Sequence, residues 1–443
     1  MTISSSLRRG IILVSYLVVV AIVLSAWLPS ALVYFRSGLS GSLIAVSIAS
    51  ALLGVVAILA QLVLISRARW LEPAFGFDRL TRIHRVNGLA AFSLVTAHIP
   101  LIIAGYSLRS GLSFPEQIIQ LQSSYQYVTL ALVAHLLLVI TIASSVVIVR
   151  KMLAYELWHL IHMLNYIVLF LAIWHQLSHG TTLNNSEWFP AFWLALHGAV
   201  LLNLVYYRFL GPVVLYMRHR FRVERIEEET ATVTSIYVSG RRLDEFNYQA
   251  GQFAKWRFLQ KNLWHEEHPF TISIAPNGEY LRCTVKAVGD FTKKIGSELR
   301  ADSRVVLSGP FGRFVLDSVS KRKLLFIAGG IGVTPLRALL EEVDESYDVE
   351  FIYAARNKED LALRAEIEQL MKGRLLHFVL SSDLPSSASS GHIDKDFLES
   401  KVGDIAEREV FICGPPSMMD DVEKACEELG VEKRDIHTER FSL

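Results

Sequence analysis

The first 210 residues of the chain are dominated by long apolar stretches that few charges interrupt. Six of these stretches reach roughly 20 residues, the length with which a helix crosses a bilayer. They cover about residues 10–28, 42–65, 87–107, 128–149, 158–178 and 190–210. The pattern predicts an all-α bundle of six transmembrane helices. The first stretch could instead be a signal peptide, although no small-residue cleavage site follows it.

The pattern changes after about residue 222 to short β-rich runs separated by turn residues. Three such runs, at 231–238, 248–253 and 268–273, predict a small antiparallel β-barrel. After about Lys321 the order is strand, glycine-rich turn and helix, which predicts a parallel, doubly wound α/β domain. We therefore expect three domains, at 1–221, 222–318 and 319–443.

Basic residues orient the six predicted helices, because they concentrate on alternate connections. One set of connections carries Arg8, Arg9, Arg67, Arg69, Arg79, Arg82, Arg85, Arg150, Lys151, Arg208, Arg218, Arg220 and Arg222. The opposite connections carry only Arg36 and Arg109. The asymmetry predicts a multi-pass protein of the plasma (inner) membrane with both termini in the cytoplasm.

Overall composition excludes several classes of function. The net charge is +1 with no basic stripe outside the membrane flanks, so no nucleic-acid partner is expected. The three cysteines, Cys283, Cys413 and Cys426, are too few and wrongly spaced for a disulfide scaffold or a zinc site. No calcium-loop motif is found and no partner subunit is evident, which leaves the lipid bilayer as the partner that the sequence indicates.

Four histidines in the apolar half indicate its chemistry. His84 and His98 lie fourteen residues apart on the third predicted helix, and His162 and His175 lie on the fifth. Fourteen residues of helix rise by about 21 Å and rotate by only about 40°, so one face offers two imidazoles at two depths. Neutral imidazole is a good axial ligand of haem iron. We predict two stacked b-type haems, with His162 paired to His84 and His175 paired to His98.

The fifth helix fits this pattern less simply. A spacing of thirteen rotates the second ring by roughly 220° on an ideal helix, so a local distortion has to be assumed there. His159 is a rival to His162, and His135, His179 and His197 are expected to be hydrogen-bonded to neighbouring helices. The histidines could also be relay groups of a proton or ion pathway.

Several motifs of the second half occur together in a recognisable order. They are Gly251-Gln-Phe, His268-Pro-Phe-Thr-Ile-Ser, Gly309-Pro-Phe-Gly, Gly329-Gly-Ile-Gly-Val-Thr-Pro, Cys413-Gly-Pro-Pro and a near-terminal Phe441. This set resembles the ferredoxin–NADP reductase-type module. Joined to six helices with this histidine pattern, it resembles the ferric reductase and NADPH oxidase superfamily over nearly the whole chain.

The resemblance implies bound FAD and a role for each motif residue. Phe270 would lie against the flavin, Thr271 would bond near the atom that accepts hydride, and His268 would contact a polar part of FAD. Phe441 would stack on the flavin, and Cys413 would lie beside the nicotinamide; these two and Thr271 are the implied catalytic residues. The remaining implied cofactor contacts are Pro269, Ser273, Lys286, Gly289, Thr292, Gly329, Gly330, Gly332, Thr334, Pro335 and Gly414.

The sequence does not decide between NADPH and NADH as the bound dinucleotide. Arg356 follows a predicted strand where the resemblance places a contact to the 2′-phosphate, which favours NADPH. Asp383, at the end of a later strand, would repel that phosphate, so NADH is possible.

The resemblance implies a transmembrane NAD(P)H oxidoreductase that passes electrons from cytosolic NAD(P)H through FAD and the haems to an acceptor on the far side. Dioxygen, giving superoxide, is the favoured acceptor. A ferric chelate is the alternative, because Ile102 stands four residues after His98, where superoxide-producing relatives often carry another His. A membrane-anchored flavin reductase is a third interpretation. The vestibule for the acceptor would come from 37–42, 106–127 and 178–190.

Overall fold

The computed structural model describes residues 5–153, 155–383 and 393–441. The chain divides into two compact units, Met1–Arg208 and Phe209–Leu443. The predicted domain boundaries at 221/222 and 318/319 stay predictions.

All secondary-structure elements described in the first unit are helices. Its helices are α1 (Ser5–Phe35), α2 (Gly38–Ile65), α3 (Glu72–Phe75), α4 (Phe77–Ser110), α5 (Phe114–Ser124), α6 (Val128–Ser145), α7 (Val147–Met152), α8 (Tyr155–Met163), α9 (Asn165–His179), α10 (Thr181–Asn184) and α11 (Phe189–Val205). A π-helical segment, Tyr206–Leu210, and α12 (Gly211–His219) follow.

Six segments of the described chain are long and apolar enough to cross a membrane. They are Ser6–Phe35, Gly38–Ile65, Arg79–Ser110, Val128–Ser145, Leu157–His179 and Phe189–His219. The prediction of six apolar helices is therefore confirmed, although the first and third are longer than their apolar patterns. The short helix α5 lies in a connection for which the sequence predicted no helix.

Helices α2 and α4 approach each other at glycines. A Cβ on Gly54 would lie 2.7 Å from Val95 Cγ2, and a Cβ on Gly105 would lie 2.6 Å from Ile44 Cγ1. A Cβ on Gly88 would lie 2.6 Å from Gln61 Nε2. Small residues at three levels let the two backbones pack closely, which is how helices associate where lipid offers no hydrophobic drive. This packing fixes the helix that carries His84 and His98.

After α12, which belongs to the second unit, six strands form two antiparallel sheets. The strands are β1 (Arg222–Thr230), β2 (Val233–Ser239), β3 (Phe253–Phe258), β4 (His268–Thr271), β5 (Leu281–Lys286) and β6 (Val305–Phe311), with α13 (Asp290–Glu298) before β6. Their orders are β1-β2-β5 and β4-β3-β6. Residues of both sheets share one apolar core, which includes Ile236, Trp256 and Leu307.

A single closed barrel, which the sequence predicted, is not confirmed. The two sheets meet through a few backbone contacts at their edges. The Ser273 amide donates to the Arg282 carbonyl at 2.7 Å, the Val223 amide donates to the Ser303 carbonyl at 2.9 Å, and Arg222 forms an isolated bridge with Arg304. The predicted short strands are thus present, but they form two sheets.

The last part of the second unit is a five-stranded parallel sheet with helices between its strands. Its elements are β7 (Lys323–Gly329), α14 (Val333–Glu342), β8 (Asp348–Ala355), α15 (Arg364–Leu370), β9 (Leu375–Leu380), α16 (Lys395–Lys401), β10 (Glu409–Cys413), α17 (Pro416–Glu428) and β11 (Ile436–Glu439). The strand order is β11-β10-β7-β8-β9, and neighbouring strands pair in parallel. The predicted doubly wound arrangement is therefore present.

The chain runs outward from β7 to β9 and then returns to β10 on the other side of β7. The order of strands thus reverses between β7 and β10. In open α/β sheets, ligands bind in the crevice that forms at this switch point, beyond the carboxyl ends of the strands. The residues that follow Gly329 and Cys413 lie at this switch point, so a ligand site is expected there.

We expect Gly105→Ala to destabilise the first unit by about 1–3 kcal/mol, because the added methyl group overlaps Ile44. Gly10→Ala in α1 is the control, since a Cβ there meets nothing within 4 Å and alanine favours helix by roughly 1 kcal/mol. Thermal unfolding of detergent-purified protein should shift downward for the first variant and stay or rise for the second. Equal shifts would contradict the packing argument.

Candidate functional site

Two of the four predicted ligands face each other. The rings of His84 on α4 and His162 on α8 have centroids 6.2 Å apart, with planes inclined by 60°. A metal–imidazole bond is about 2 Å long and the ring centre lies about 1 Å beyond the nitrogen, so two imidazoles across one iron have centroids about 6 Å apart. The separation fits axial ligation of a haem by this pair.

The ring nitrogens of His98 are in different environments. Its Nδ1 lies 3.1 Å from the backbone carbonyl oxygen of Ser47 and 2.8 Å from the Ser47 hydroxyl. A carbonyl can only accept, so Nδ1 carries the proton and Nε2 keeps a free lone pair. Metal-binding histidines show this arrangement, in which one nitrogen is held by a second partner and the other binds the metal. The Ser47 hydroxyl also donates to the His98 carbonyl at 2.8 Å.

His175, the fourth predicted ligand, lies on α9. Its Nδ1 is buried and has no hydrogen-bond partner among the described residues, and the same holds for Nδ1 of His84. An unsatisfied buried nitrogen is costly in an apolar surrounding, so each ring is a candidate for a ligand that would compensate it. The Ser145 hydroxyl lies 3.3 Å from Nδ1 of His162, the partner of His84.

The fifth span is interrupted where the thirteen-residue spacing requires a distortion. Helix α8 ends at Met163 and α9 begins at Asn165. Between them the Leu164 amide donates to the Ile161 carbonyl, three residues back, and the Asn165 side chain donates to the His162 carbonyl at 2.9 Å. The tighter turn changes the rotation between His162 and His175 from that of an ideal helix.

Other histidines of the first unit also contact protein groups, although one ring nitrogen each of His135, His179 and His197 is buried without a hydrogen-bond partner among the described residues. The ring of His135 stacks on Phe92, with centroids 6.3 Å apart, and His197 Nδ1 lies 2.8 Å from the Trp193 carbonyl oxygen. His159 packs beside Trp158, and His179 packs against Tyr125. Among the described residues no three metal-binding side chains cluster, but haem needs only two axial imidazoles.

Sequence reasoning missed the residues of α2 that hold the histidine helix in place. Asn87 donates to the Ala57 carbonyl at 2.8 Å and to Gln61 Oε1 at 2.9 Å. Ser47 and Gln61 are fourteen residues apart on an otherwise apolar helix, the same spacing as the two histidines of α4. This matched spacing of polar residues was the signal that could have identified them.

In the second unit, β4 presents the predicted flavin residues. The His268 ring stacks on Phe291 with centroids 4.1 Å apart, and its Nε2 lies 2.8 Å from Glu266 Oε2. The Phe270 carbonyl accepts a hydrogen bond of 2.9 Å from Trp256 Nε1, which fixes the backbone of β4. Pro269 lies between them in the same strand, and the Phe270 side chain is partly exposed.

Two other residues of the motif point inward. Thr271 is 5% exposed and Ser273 is fully buried. The Ser273 hydroxyl donates to the Arg282 carbonyl at 3.2 Å and lies 2.9 Å from the Thr284 hydroxyl. The Ser273 side chain is thus held by hydrogen bonds within the protein, and its predicted contact with the flavin stays a prediction.

The turn before α13 is closed by its own hydrogen bonds, and the Thr292 hydroxyl donates to the Gly289 carbonyl at 3.0 Å. Gly289 is the N-cap of α13, and the Thr292 hydroxyl accepts hydrogen bonds of 2.9 Å from the amides of Val288 and Gly289. Helix N-termini favour anions because their amides and dipole carry positive charge. Lys286, half-buried at the end of β5, adds a cationic side chain just before this turn.

The switch point between β7 and β10 is built on close backbone contacts. A Cβ on Gly332 would overlap the Cys413 carbonyl oxygen, and one on Gly329 would lie 2.7 Å from Met418 Sδ. A Cβ on Gly414 would lie 3.0 Å from the Cα of Gly329. Gly330 has a φ of +52°, which a side chain would disfavour. These four positions accept only glycine without a shift or backbone strain. A glycine-rich turn after a strand is the kind of turn whose backbone can approach a dinucleotide.

Neighbouring residues support this turn. Thr334 and Pro335 begin α14 and are buried, and the Thr334 hydroxyl donates to the Ile331 carbonyl at 3.0 Å. Cys413 is fully buried, and burial raises the pKa of its thiol well above the usual value, so the group stays neutral. Phe441 follows β11 and is 44% exposed.

Arg356 is exposed just after β8, at the same edge of the sheet, and its carbonyl accepts a hydrogen bond from the Ser382 amide at 3.0 Å. The side chain of Asp383, the residue predicted to repel a 2′-phosphate, lies outside the described structure.

A buried ionic network that the sequence did not reveal joins β5, in the β1-β2-β5 sheet, to helices α14 and α15 of the parallel-sheet part of this unit. Arg282 on β5 donates to Glu366 Oε1 on α15 at 2.6 Å and to the Ser273 carbonyl at 2.7 Å. Arg337 on α14 donates to Glu366 Oε2 at 2.6 Å and also pairs with Glu341. Burial raises the pKa of Glu366, but the two arginines outweigh it and lower the pKa overall. The network orients the two nucleotide-binding parts of this unit.

Three family models match successive parts of the chain. A ferric reductase-like transmembrane component matches residues 50–173, an FAD-binding domain matches 218–346, and an oxidoreductase NAD-binding domain matches 326–424. The chain therefore combines a ferric reductase-type membrane domain with FAD- and NAD-binding domains, and together with the six spans this describes a multi-pass membrane protein.

Similar curated proteins include a flavohemoprotein of Bacillus subtilis, 30% identical over 237 residues. A glycine betaine monooxygenase reductase subunit of Chromohalobacter salexigens is 28% identical over 240 residues. These matches cover 50% and 51% of this chain and span 58% and 64% of the two relatives. Among solved structures, the FAD/NAD-binding domain of a Vibrio cholerae nitric oxide dioxygenase is 24% identical, with a TM-score of 0.44 over 50% of this chain and 97% of that chain.

We expect Gly332→Ala to lower the thermal stability of the second unit and to weaken NADPH binding at least about tenfold, because the methyl group overlaps the Cys413 carbonyl. Gly403→Ala is the matched control, since a Cβ there meets nothing within 4 Å. Binding can be followed by quenching of the intrinsic fluorescence on titration with NADPH. Unchanged affinity in the Gly332 variant would rule out a close backbone approach as the basis of the site.

Proposed function

We propose that this chain, which has the ferric reductase/NADPH oxidase architecture, is a transmembrane NAD(P)H oxidoreductase. In this proposal it takes electrons from NAD(P)H on the cytoplasmic side and delivers them to an acceptor on the opposite side of the membrane. FAD and two b-type haems are its resident cofactors. Domain boundaries at 221/222 and 318/319 are part of the proposal.

The observation that carries the proposal is the arrangement of imidazoles in the first unit. His84 faces His162 at a separation suited to one iron, and His98 keeps Nε2 free because Ser47 holds Nδ1. His175 has an unsatisfied buried nitrogen on the broken fifth span. We therefore assign His84 and His162 to one haem and His98 and His175 to the other. A proton relay would use the same imidazoles without iron, and a merely anchored flavin reductase would not need them, so haem content discriminates among the three functions.

When bound, FAD couples the two-electron chemistry of a nicotinamide to single-electron steps, and haem iron carries single electrons. The role of the protein is to bind FAD, the nicotinamide dinucleotide and the haems and to hold them in the sequence in which electrons pass. We assign the flavin face to Phe270, Thr271 and His268, with Pro269 shaping the strand. The Gly289 turn, Thr292 and Lys286 would hold the pyrophosphate.

The nicotinamide dinucleotide would be held at the switch point by the backbone of Gly329, Gly330, Gly332 and Gly414, supported by Thr334 and Pro335. Cys413 would present a neutral thiol at the reacting ring, because burial keeps it protonated. Phe441, exposed after β11, would cover the flavin until the nicotinamide replaces it. Arg356 supports NADPH over NADH, since an exposed guanidinium suits a 2′-phosphate.

The direction of electron flow follows from topology. We place both termini in the cytoplasm of a plasma (inner) membrane, as the distribution of arginines indicates. Electrons then leave a negative interior, which is favourable by roughly 2.3 kcal/mol per 100 mV for each charge.

Dioxygen, reduced to superoxide, is the proposed acceptor, and one observation favours a ferric chelate as the second candidate. The first unit contains a cavity of about 220 Å³ lined mostly by polar side chains, among them Arg109, Tyr106 and Tyr125. The Tyr125 ring packs against His179, whose ring lies 6.4 Å from that of His175. A polar cavity with one cation beside a proposed haem ligand suits an anionic chelate better than an apolar gas.

Haem content tests the ligand assignment. We expect purified wild-type protein to contain about two haems per chain, and His84→Ala or His175→Ala to contain about one, because each haem loses one of its two axial ligands. His84→Ala with His98→Ala should abolish the Soret band. The controls are His159→Ala and His197→Ala, which should keep both haems. Full haem content in all four single variants would contradict the assignment.

The acceptor can be identified in proteoliposomes that contain NADPH or NADH inside and either cytochrome c or a ferric chelate outside. Reduction of cytochrome c that superoxide dismutase inhibits supports the oxidase, and dismutase-insensitive reduction of the chelate supports the metal reductase. We expect NADPH to support the faster rate and Arg356→Ala to remove most of that preference. Reduction of neither acceptor in intact vesicles would exclude a transmembrane electron path.

A further inference from the structure

The second unit contains a basic cavity that none of the proposed cofactor residues lines. Its volume is about 480 Å³, within the range of small-ligand sites. It is lined by Tyr216, Arg220, Arg222, Ser239, Gly240, Arg241 and Arg304. These residues come from the end of α12, the start of β1, the turn after β2 and the residue before β6.

One wall is fixed by reciprocal hydrogen bonds. The Arg241 amide donates to the His219 carbonyl at 2.5 Å, and His219 Nδ1 donates to the Arg241 carbonyl at 3.0 Å. His219 is buried against Phe221, with ring centroids 5.2 Å apart. A Cβ on Gly240 would lie 2.9 Å from the His219 carbonyl oxygen, so only glycine fits this turn without a shift. The position of Arg241 is thus determined by the fold.

The opposite wall is fixed by the two sheets. Arg222 forms a backbone bridge with Arg304, and the Arg304 carbonyl accepts a hydrogen bond of 2.8 Å from the Leu259 amide. Arg222 is neutralised, because its Nη1 lies 2.7 Å from Asp302 Oδ1. Arg220 ends α12 with a φ of +51° and lies over the Tyr216 ring.

The charges that face the cavity are uncompensated. None of the described lining residues is acidic, and Arg220, Arg241 and Arg304 form no ion pair within the described chain. Three exposed like charges around one space repel each other, and a bound anion would remove this repulsion. A guanidinium matches phosphate by donating two parallel hydrogen bonds.

We propose that this arginine cavity is a binding site for a phosphate group. Its position suggests the source, because Arg220 directly follows the sixth candidate span, Phe189–His219. Basic residues at this place in a chain meet the headgroups of the cytoplasmic leaflet, where anionic phospholipids attract them. A free phosphate compound would satisfy the same chemistry, so the experiment has to separate the two sources.

The test uses the full-length protein in a non-ionic detergent that contains equal amounts of phosphatidylglycerol and phosphatidylcholine. Native mass spectrometry measures which lipid stays bound, and thermal shift with inorganic pyrophosphate measures the soluble anion. We expect the wild type to retain phosphatidylglycerol selectively. Changing Arg220, Arg241 and Arg304 together to Gln should weaken retention by about fivefold for each arginine removed.

The matched control changes Lys424, Lys433 and Arg434 to Gln, because these exposed residues carry the same charge away from the cavity. Selective loss of phosphatidylglycerol in the cavity variant alone supports a lipid site. Stabilisation by pyrophosphate that only the cavity variant loses supports a site for a soluble phosphate. Equal behaviour of the two triple variants would overturn the proposal.

Should the Gln variant fail to fold, the triple change of the same arginines to Lys replaces it. Lysine keeps the charge but lacks the paired donors, so we expect intermediate retention at low salt and a steeper loss as salt increases. Retention identical to the wild type at all salt concentrations would also overturn the proposal.

Discussion

A polar group inside a membrane has to find its partner within the protein, and this constraint shapes the first unit. Ser47 satisfies His98 and Asn87 is satisfied by α2 through Ala57 and Gln61. Such bonds contribute about 0.6–2 kcal/mol each in a bilayer. Their larger effect is geometric, because they fix the rotation of α4 and therefore the direction in which its imidazoles point.

The same constraint acts on every histidine of the first unit. His197 reaches a backbone carbonyl and His135 stacks on an aromatic ring, yet each keeps one buried ring nitrogen without a described partner. The same is true of His84 and His175, so an unsatisfied nitrogen alone does not separate the proposed ligands from the other histidines. The facing rings of His84 and His162 are the feature that favours a haem between them.

The second unit relies on close contact of backbones. Gly329, Gly332 and Gly414 let the backbones that follow β7 and β10 approach closely, and the Arg282–Glu366–Arg337 network ties β5 to helices α14 and α15 of the parallel-sheet part. A buried arginine that loses its carboxylate partner costs several kcal/mol, so the network favours one mutual orientation. Catalysis between two bound cofactors needs that orientation more than it needs additional stability.

The sequence by itself determined the six apolar helices, the strand and glycine-turn motifs, and the histidine spacing, because these depend on residues near one another in the chain. It predicted a closed barrel where the structure has two sheets, and it did not reveal the hydrogen bonds of Ser47, the ion pairs of Arg282 or the arginine cavity. Only the tertiary structure decided these, because sheet closure, inward orientation and ionic partners depend on residues distant in the chain. The interruption at Leu164 was determined partly by the sequence and partly by the tertiary structure. The thirteen-residue spacing of His162 and His175 required a distortion of the helix, and the structure showed where it lies.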